Sequence, residues 1–233
     1  MNGHYAIAID GPSGAGKSSL AKRCAEAFGF LYVDTGAIYR TVGLAAWRRD
    51  IDRKDEPAIR KLLPTLQIAM RYNEQGEQCM YLNGEDVSRE IRLPEISICA
   101  SDVSSLPSVR TFLLEMQRQL ARENNVIMDG RDIGTVVLPD AELKIFLTAS
   151  AEARAERRLK QLAEKGVAAA YDEVLRDIRY RDEQDSGRAA APLKAAEDAV
   201  YVDTTEIDFD QSFALFCRII RERLGLSPME NIQ

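Results

Sequence analysis

Residues 11–18 read Gly11-Pro12-Ser13-Gly14-Ala15-Gly16-Lys17-Ser18 and satisfy the spacing GxxxxGK[ST]. Glycines at these positions allow the backbone angles that turn successive N–H groups inward as an anion cradle, and a helix starting behind the loop adds the positive end of its dipole. Lys17 is then placed for the β and γ phosphates of a nucleotide, and the Ser18 hydroxyl for a divalent metal bound to them. Two further polar loops carry arginine: Asp34-Thr35-Gly36-Ala37-Ile38-Tyr39-Arg40 and Asp129-Gly130-Arg131-Asp132-Ile133-Gly134-Thr135. Taken singly, the first reads as a helix N-cap and the second as a salt-bridged turn. At the same predicted sheet edge as a phosphate loop, both read as parts of a site for a phosphoryl acceptor.

The elements that must position these loops follow from apolar periodicity. Residues 5–10 form a short apolar run before the phosphate loop, and Leu20, Cys24 and Phe28 recur at helical spacing after it, giving strand, loop, helix. Gly29 ends that helix, residues 30–33 make a second strand, and residues 36–49 a helix with Ile38, Val42, Ala45 and Ala46 on one face. Residues 66–72 and 79–82, joined by the polar turn 73–78 and followed by Asn83-Gly84, read as an antiparallel hairpin inserted into the strand-helix alternation. Helical patterning resumes near Leu93, breaks at Pro107 and continues to Leu120. Residues 125–129, 144–148 and 199–202 are further strands, and 151–165, 171–185 and 209–224 further helices. Strands alternating with helices imply a parallel α/β sheet.

Composition narrows the chemistry. The 233 residues hold 31 Lys+Arg against 37 Asp+Glu, a net charge of −6, and a single histidine, His4. One histidine cannot supply a two-His zinc site or a facial triad, and a Ser-His-Asp hydrolase is disfavoured, so catalysis must run on carboxylates, cations and backbone amides. An acidic balance argues against a broad nucleic-acid surface. The four cysteines are widely spaced without a CxxC, the N-terminus carries no secretory pattern, and no window approaches a membrane span. The expectation is a cytoplasmic monomer with reduced thiols, binding small molecules, with no nucleic acid, membrane or obligate protein partner. A GTPase base-recognition segment (NKxD) and an ABC-type LSGGQ signature are both absent, which leaves a small-molecule kinase, with a nucleotide-dependent switch as the alternative from another class.

The segments IDGPSGAGKS, DTGAIYR, YLNGEDVSREIR, DGRDIGTVVLPDA and RDEQDSGRAAAPL, in that order across about residues 5–205, closely resemble those of the bacterial cytidylate kinases, P-loop kinases of the nucleoside monophosphate kinase group. The resemblance implies transfer of the γ-phosphoryl group of ATP to CMP, and to dCMP, with Mg²⁺ as cofactor. It implies a P-loop NTPase-type three-layer α/β fold with a five-stranded parallel sheet, an inserted monophosphate-binding subdomain with antiparallel strands, and a short helical lid. The expected core is 1–59, 103–150 and 190–233, the insertion 60–102 and the lid 151–189.

Carried over residue by residue, the resemblance places Thr35, Arg40 and Arg131 around the monophosphate, Ser101, Arg110, Asp132 and Arg188 near the cytosine, and Arg181 and Asp185 near the sugar and the transferring phosphate. Gly11, Pro12, Ser13, Gly14, Ala15, Gly16, Lys17, Ser18, Ser19 and Arg157 are expected on ATP, with Arg154, Arg157 and Arg158 in the lid. Lys17, Arg131, Arg181 and Asp185 are the expected catalytic set, and Ser18 the Mg²⁺ ligand with Asp34 as a second candidate. Ser18-Ser19 stands where many relatives read Gly-Thr, so Ser19 is the alternative hydroxyl. Thr35, a serine in some relatives, adds a methyl that bears on the choice between CMP and dCMP.

Overall fold

The computed structural model of the chain describes residues 4–164, 166–188 and 191–229. The expected helix end at Lys165, the lid-to-core boundary at 189–190 and the last residues of the expected core, 230–233, lie outside the described residues. In chain order the strands are β1 (Ala6–Asp10), β2 (Leu31–Asp34), β3 (Ile68–Tyr72), β4 (Gln78–Leu82), β5 (Glu85–Asp86), β6 (Val126–Gly130), β7 (Leu143–Thr148) and β8 (Val200–Asp203). The helices are α1 (Lys17–Phe28), α2 (Thr35–Trp47), α3 (Glu56–Leu62), α4 (Pro94–Ser104), α5 (Pro107–Glu123), α6 (Ala151–Glu164), α7 (Tyr171–Ser186) and α8 (Phe209–Leu224). The chain divides into two compact units, Val33–Leu120 and the sequence on either side of it.

The flanking unit is built on a five-stranded sheet in the order β2, β6, β1, β7, β8. The pairs β1–β6, β1–β7 and β7–β8 are parallel. Every residue of β1 is buried, as a central parallel strand covered on both faces requires. Register sets Ile7 beside Ile127 and Leu143, so the apolar residues of three strands stack in one layer, and it sets Asp10 beside Gly130 and Ile9 beside Asp129 at the strands' carboxyl ends. Leu20 and Cys24 of α1 and Phe216 and Ile220 of α8 close the core against Ile7, Ile9 and Ile145. Helix α8 starts on a capping box in which the Asp208 side chain accepts from the Gln211 backbone and the Gln211 side chain accepts from the Asp208 backbone. This is the three-layer P-loop NTPase-type α/β fold expected from the sequence. Among the described residues no helix is long and apolar enough to cross a membrane.

The unit Val33–Leu120 holds the expected hairpin as β3–β4, antiparallel with Met70 opposite Met80, extended by β5 into a three-stranded sheet. It is wider than the 60–102 insertion expected from the sequence, because α2 packs on α4 and Arg110 of α5 folds back over the Tyr39 ring of α2, 5.6 Å from its centroid. The α2–α4 approach depends on Gly43: a Cβ there would lie 2.9 Å from Ala100 N and 3.0 Å from the Cys99 carbonyl carbon. Helix α3 and a π-helical turn at Ile133–Val137 were not expected.

Candidate active site

The phosphate loop leaves β1 at Gly11, whose φ of 150° and contact with the neighbouring strand both demand glycine: a Cβ would stand 1.9 Å from the Leu147 carbonyl oxygen of β7. The loop is thereby pressed onto the sheet edge. Lys17 opens α1 and is buried, its ammonium donating to the Pro12 carbonyl at 2.6 Å across the loop. Burial and the neighbouring Arg131 push Lys17 down to about 7, against the opposing pull of Asp129, Asp10 and Asp185. An arriving phosphate adds negative charge beside that ammonium and so restores its proton affinity. Ser18 and Ser19 are exposed on the first turn of α1.

Ser18 Oγ donates to Asp129 Oδ2 at 2.9 Å, and Tyr32 Oη donates to Asp129 Oδ1 at 2.9 Å. This buried carboxylate, at the end of β6, thus meets the start of α1 through one oxygen and β2 through the other. Asp34, the second candidate for metal, is otherwise engaged: it caps α2 by accepting from Ala37 N at 3.0 Å and from Arg40 Nη2 at 2.7 Å. The hydroxyl beside a strand-end carboxylate is that of Ser18.

Asp10 fastens the loop after β6. Its carboxylate accepts from the Ile133 and Gly134 amides, each at 2.7 Å, and burial raises it to about 6 despite those two bonds, helped by the nearby Asp132. The anchored loop presents Arg131, whose Nε donates to Asp185 Oδ2 at 2.7 Å, while Arg188 Nη2 donates to Asp185 Oδ1. Burial by itself would raise the Asp185 carboxyl, but the Arg131 and Arg188 charges prevail and hold it below the usual carboxylate range. Asp132 is buried in the same loop.

Helices α6 and α7 form a hairpin around Ala155, Val174 and Ile178. Arg154 is only 4% exposed and spends its guanidinium on four acceptors: Ala149 O at 2.9 Å, Ser13 O at 3.0 Å, and Asp182 Oδ1 and Oδ2 at 2.9 and 2.6 Å. It thus ties α7 and the base of α6 to the phosphate loop. Arg157 donates to Thr204 Oγ1 at 3.1 Å and to the Thr204 carbonyl, holding the loop after β8. Arg158 and Arg181 are exposed on the hairpin's surface.

In the unit Val33–Leu120, Thr35 is buried at the first turn of α2 and Arg40 follows on the same helix. Arg40 Nε is buried with no hydrogen-bond partner among the described residues. Arg110 donates to Ser104 O at 3.1 Å, and Ser101 is exposed on α4 with its carbonyl accepting from Ser104 Oγ. Thr35, Tyr39, Arg40, Ser101 and Arg110 thus belong to three helices fixed by the α2–α4 contact.

Neither the Asp129 carboxylate beside Ser18 nor the Asp10 carboxylate under the Arg131 loop was assigned a place from the sequence. Both were visible as acidic residues ending apolar strand runs, one beside the phosphate loop and one beside an arginine loop, which is where an open α/β sheet places its ligand groups.

Among solved structures, an uncharacterized protein of Eubacterium ventriosum superposes with a TM-score of 0.51 at 13% identity, over 94% of this chain and 100% of that one, a likeness of fold alone. Curated relatives are far nearer in sequence. The cytidylate kinase of Geobacter sp. strain M21 is 49% identical over 220 residues, covering 94% of each chain. That of Caldanaerobacter subterraneus subsp. tengcongensis is 51% identical over 201 residues, covering 86% of this chain and 88% of its own. That of Lactobacillus johnsonii is 48% identical over 217 residues, covering 93% and 94%. The family model for cytidylate kinase matches residues 7–222. With that match spanning the phosphate loop, both arginine loops and the α6–α7 hairpin, the chain belongs to the cytidylate kinase family and is a nucleoside monophosphate phosphotransferase.

Proposed function

We propose that this protein transfers the γ-phosphoryl group of ATP to CMP, and to dCMP, in the presence of Mg²⁺, by direct in-line displacement. The observation that carries this reading is the array behind the phosphate loop: buried Lys17, the Ser18–Asp129 pair, and Arg131 and Arg188 converging on Asp185. Such an array has cations for the equatorial oxygens of a transferring phosphoryl group and no nucleophile poised for a covalent intermediate. The acceptor needs no strong base, since a phosphate oxygen of the monophosphate is already anionic.

The residues present fit Mg²⁺. The donors at Ser18 and Asp129 are all oxygen, and among the described residues no group of three His, Cys, Asp or Glu side chains forms a dedicated metal cage, as expected of an ion that keeps waters and phosphate oxygens as its other ligands. Ser18 and Asp129 would hold it, directly or through its waters, and when bound it neutralises phosphate charge. Lys17 and the backbone N–H groups of the phosphate loop, Pro12 apart, grip the β and γ phosphates, and Arg131 and Arg181 neutralise the transferring group. Asp185 orients Arg131 and Arg188 and takes the sugar hydroxyls.

The unit Val33–Leu120 is the monophosphate side of this proposal, with Thr35 and Arg40 on the phosphate and Ser101 and Arg110 on the cytosine. The unpartnered buried Nε of Arg40 supports an anion as its complement. Cytosine offers a carbonyl and a ring nitrogen as acceptors and an amino group as donor, which guanidinium and carboxylate or hydroxyl groups can read. The α6–α7 hairpin is the lid, and Arg157 reaches ATP by exchanging its bonds to Thr204.

Label transfer tests the reaction. With ATP labelled at the γ phosphorus and CMP as acceptor, the label is expected in the β phosphate of CDP, and omission of Mg²⁺ abolishes it. Label released as inorganic phosphate at the same rate with and without CMP would overturn the reading.

A further inference from the structure

Gln78 opens β4, and Met80 and Leu82 follow it on the same face of that strand, both buried, with β4 packed on α2. An inward-facing position of this kind ordinarily carries an apolar side chain, and an amide placed there needs partners. It finds them in the backbone of a single residue: the Asp34 N–H donates to Gln78 Oε1 at 2.8 Å, and Gln78 Nε2 donates to the Asp34 carbonyl at 3.2 Å. Both main-chain groups of Asp34 are thus held by one side chain of the hairpin.

Asp34 in turn commits its carboxylate to α2. Oδ1 accepts from Ala37 N at 3.0 Å, and Oδ2 accepts from Arg40 Nη2 at 2.7 Å. To make this bond the Arg40 side chain reaches back over Gly36, where a Cβ would stand 3.0 Å from Arg40 Nη1 and 3.0 Å from Asp34 Oδ1. The guanidinium is fixed by Asp34 at one nitrogen, while its Nε stays buried with no hydrogen-bond partner among the described residues.

We propose that Gln78 is a positioning residue for the acceptor's phosphate: it fixes the Asp34 backbone, Asp34 fixes the Arg40 guanidinium and the start of α2, and Arg40 with Thr35 receives the phosphate of a nucleoside monophosphate. This rests on the assignment of Thr35 and Arg40 to that phosphate made above. Gln78 acts through Asp34 and touches no substrate itself. Its effect falls on acceptor affinity, because a cation that holds the monophosphate equally in the ground and transition states lowers KM and leaves kcat alone.

Initial rates with CMP and ATP are measured for the full-length wild type, Gln78→Leu, Arg40→Ala and the double variant. Gln78→Leu keeps most of the side-chain bulk and loses both bonds to Asp34. KM for CMP should rise about 3- to 10-fold, with kcat and KM for ATP within about twofold of wild type. On an Arg40→Ala background the same substitution should raise KM for CMP by less than about twofold, because the group it positions is gone. Gln78→Glu keeps the length and the acceptor but sets a second oxygen against the Asp34 carbonyl; it should raise KM for CMP in the same sense, and it decides the question where Gln78→Leu fails to fold. The proposal is overturned if KM for CMP stays at the wild-type value in these variants, if KM for ATP rises as much as KM for CMP, or if the effects of Gln78→Leu and Arg40→Ala multiply in full. A wild type without CMP-dependent ADP release overturns the reading of the site and this role with it, whereas normal CMP kinetics in wild type and Gln78→Leu alike overturn the role of Gln78 alone.

Discussion

Asp129, a buried carboxylate near the end of β6, accepts from two hydroxyls at once, Ser18 and Tyr32. In the proposed reaction it offers a carboxylate charge beside Ser18 for the metal. Asp129→Asn preserves shape and one acceptor but removes that charge, so the Mg²⁺ concentration for half-maximal rate should rise and kcat should fall by about 10². A variant with the wild-type Mg²⁺ dependence would show that the carboxylate only braces Tyr32. Lys17→Ala should cost about 10² to 10³ in kcat, since it deletes a cation preorganised for developing charge. Full acceptor-dependent rate in that variant would remove Lys17 from the catalytic set.

Asp10 gives a pH signature. Its carboxyl is raised from 3.8 to about 6, chiefly by burial. A carboxyl raised in the folded state binds its proton more tightly there than in the unfolded chain, so its contribution to stability is full below 3.8 and is lost as the pH climbs to about 6. Denaturation of wild type and Asp10→Asn across this range should show wild type losing about 3 kcal/mol relative to the variant, then running parallel above it. Asp185, held below its usual value, titrates beneath that window. A flat difference would mean that the Ile133 and Gly134 amides fully offset the burial of Asp10.

At the scale of elements, Arg154 and Asp182 join the α6–α7 hairpin to the phosphate loop through Ser13. Arg154→Ala frees three groups at once, while Asp182→Ala strands only Arg154. Both should destabilise, with a double-mutant coupling of about 1–3 kcal/mol by thermal or urea denaturation. Because the Ser13 carbonyl belongs to the cradle, Arg154→Ala should also raise KM for ATP more than KM for the acceptor. Equal changes in the two KM values would confine Arg154 to the hairpin. Gly43→Ala places a Cβ against the α4 backbone and should cost about 1–3 kcal/mol in stability.

The strands, the phosphate loop and the long helices were legible because their apolar residues recur with clear period and end at glycine or a strand-end aspartate. Helix α3 was not, since seven residues carry only Ile59 and Leu62 as buried anchors. The turn at Ile133–Val137 read as loop because its order comes from Asp10, more than a hundred residues away, which no local pattern discloses. The arginines of the α6–α7 hairpin show the same limit: the resemblance put Arg154, Arg157 and Arg158 in an expected lid, while only the fold shows Arg154 spent on Ser13 and Asp182 and Arg157 on Thr204.

For the whole molecule, a net charge of −6 coexists with a concentration of cations at one sheet edge, where Lys17, Arg131 and Arg188 meet Asp129 and Asp185. Average charge therefore says little about affinity for a phosphate-rich ligand, because the field in a partly buried site is set by its own few groups. The reaction proposed for this site is phosphorylation of a cytidine monophosphate. ADP release by the full-length protein with ATP and Mg²⁺, measured in turn with CMP, dCMP, UMP, AMP and GMP and without acceptor, tests it most directly. The expected result is rapid release with CMP, substantial release with dCMP, and a rate without acceptor lower by about 10² or more, since water is excluded from the phosphoryl group. Release that is equal with and without CMP, or fastest with a purine monophosphate, would contradict it.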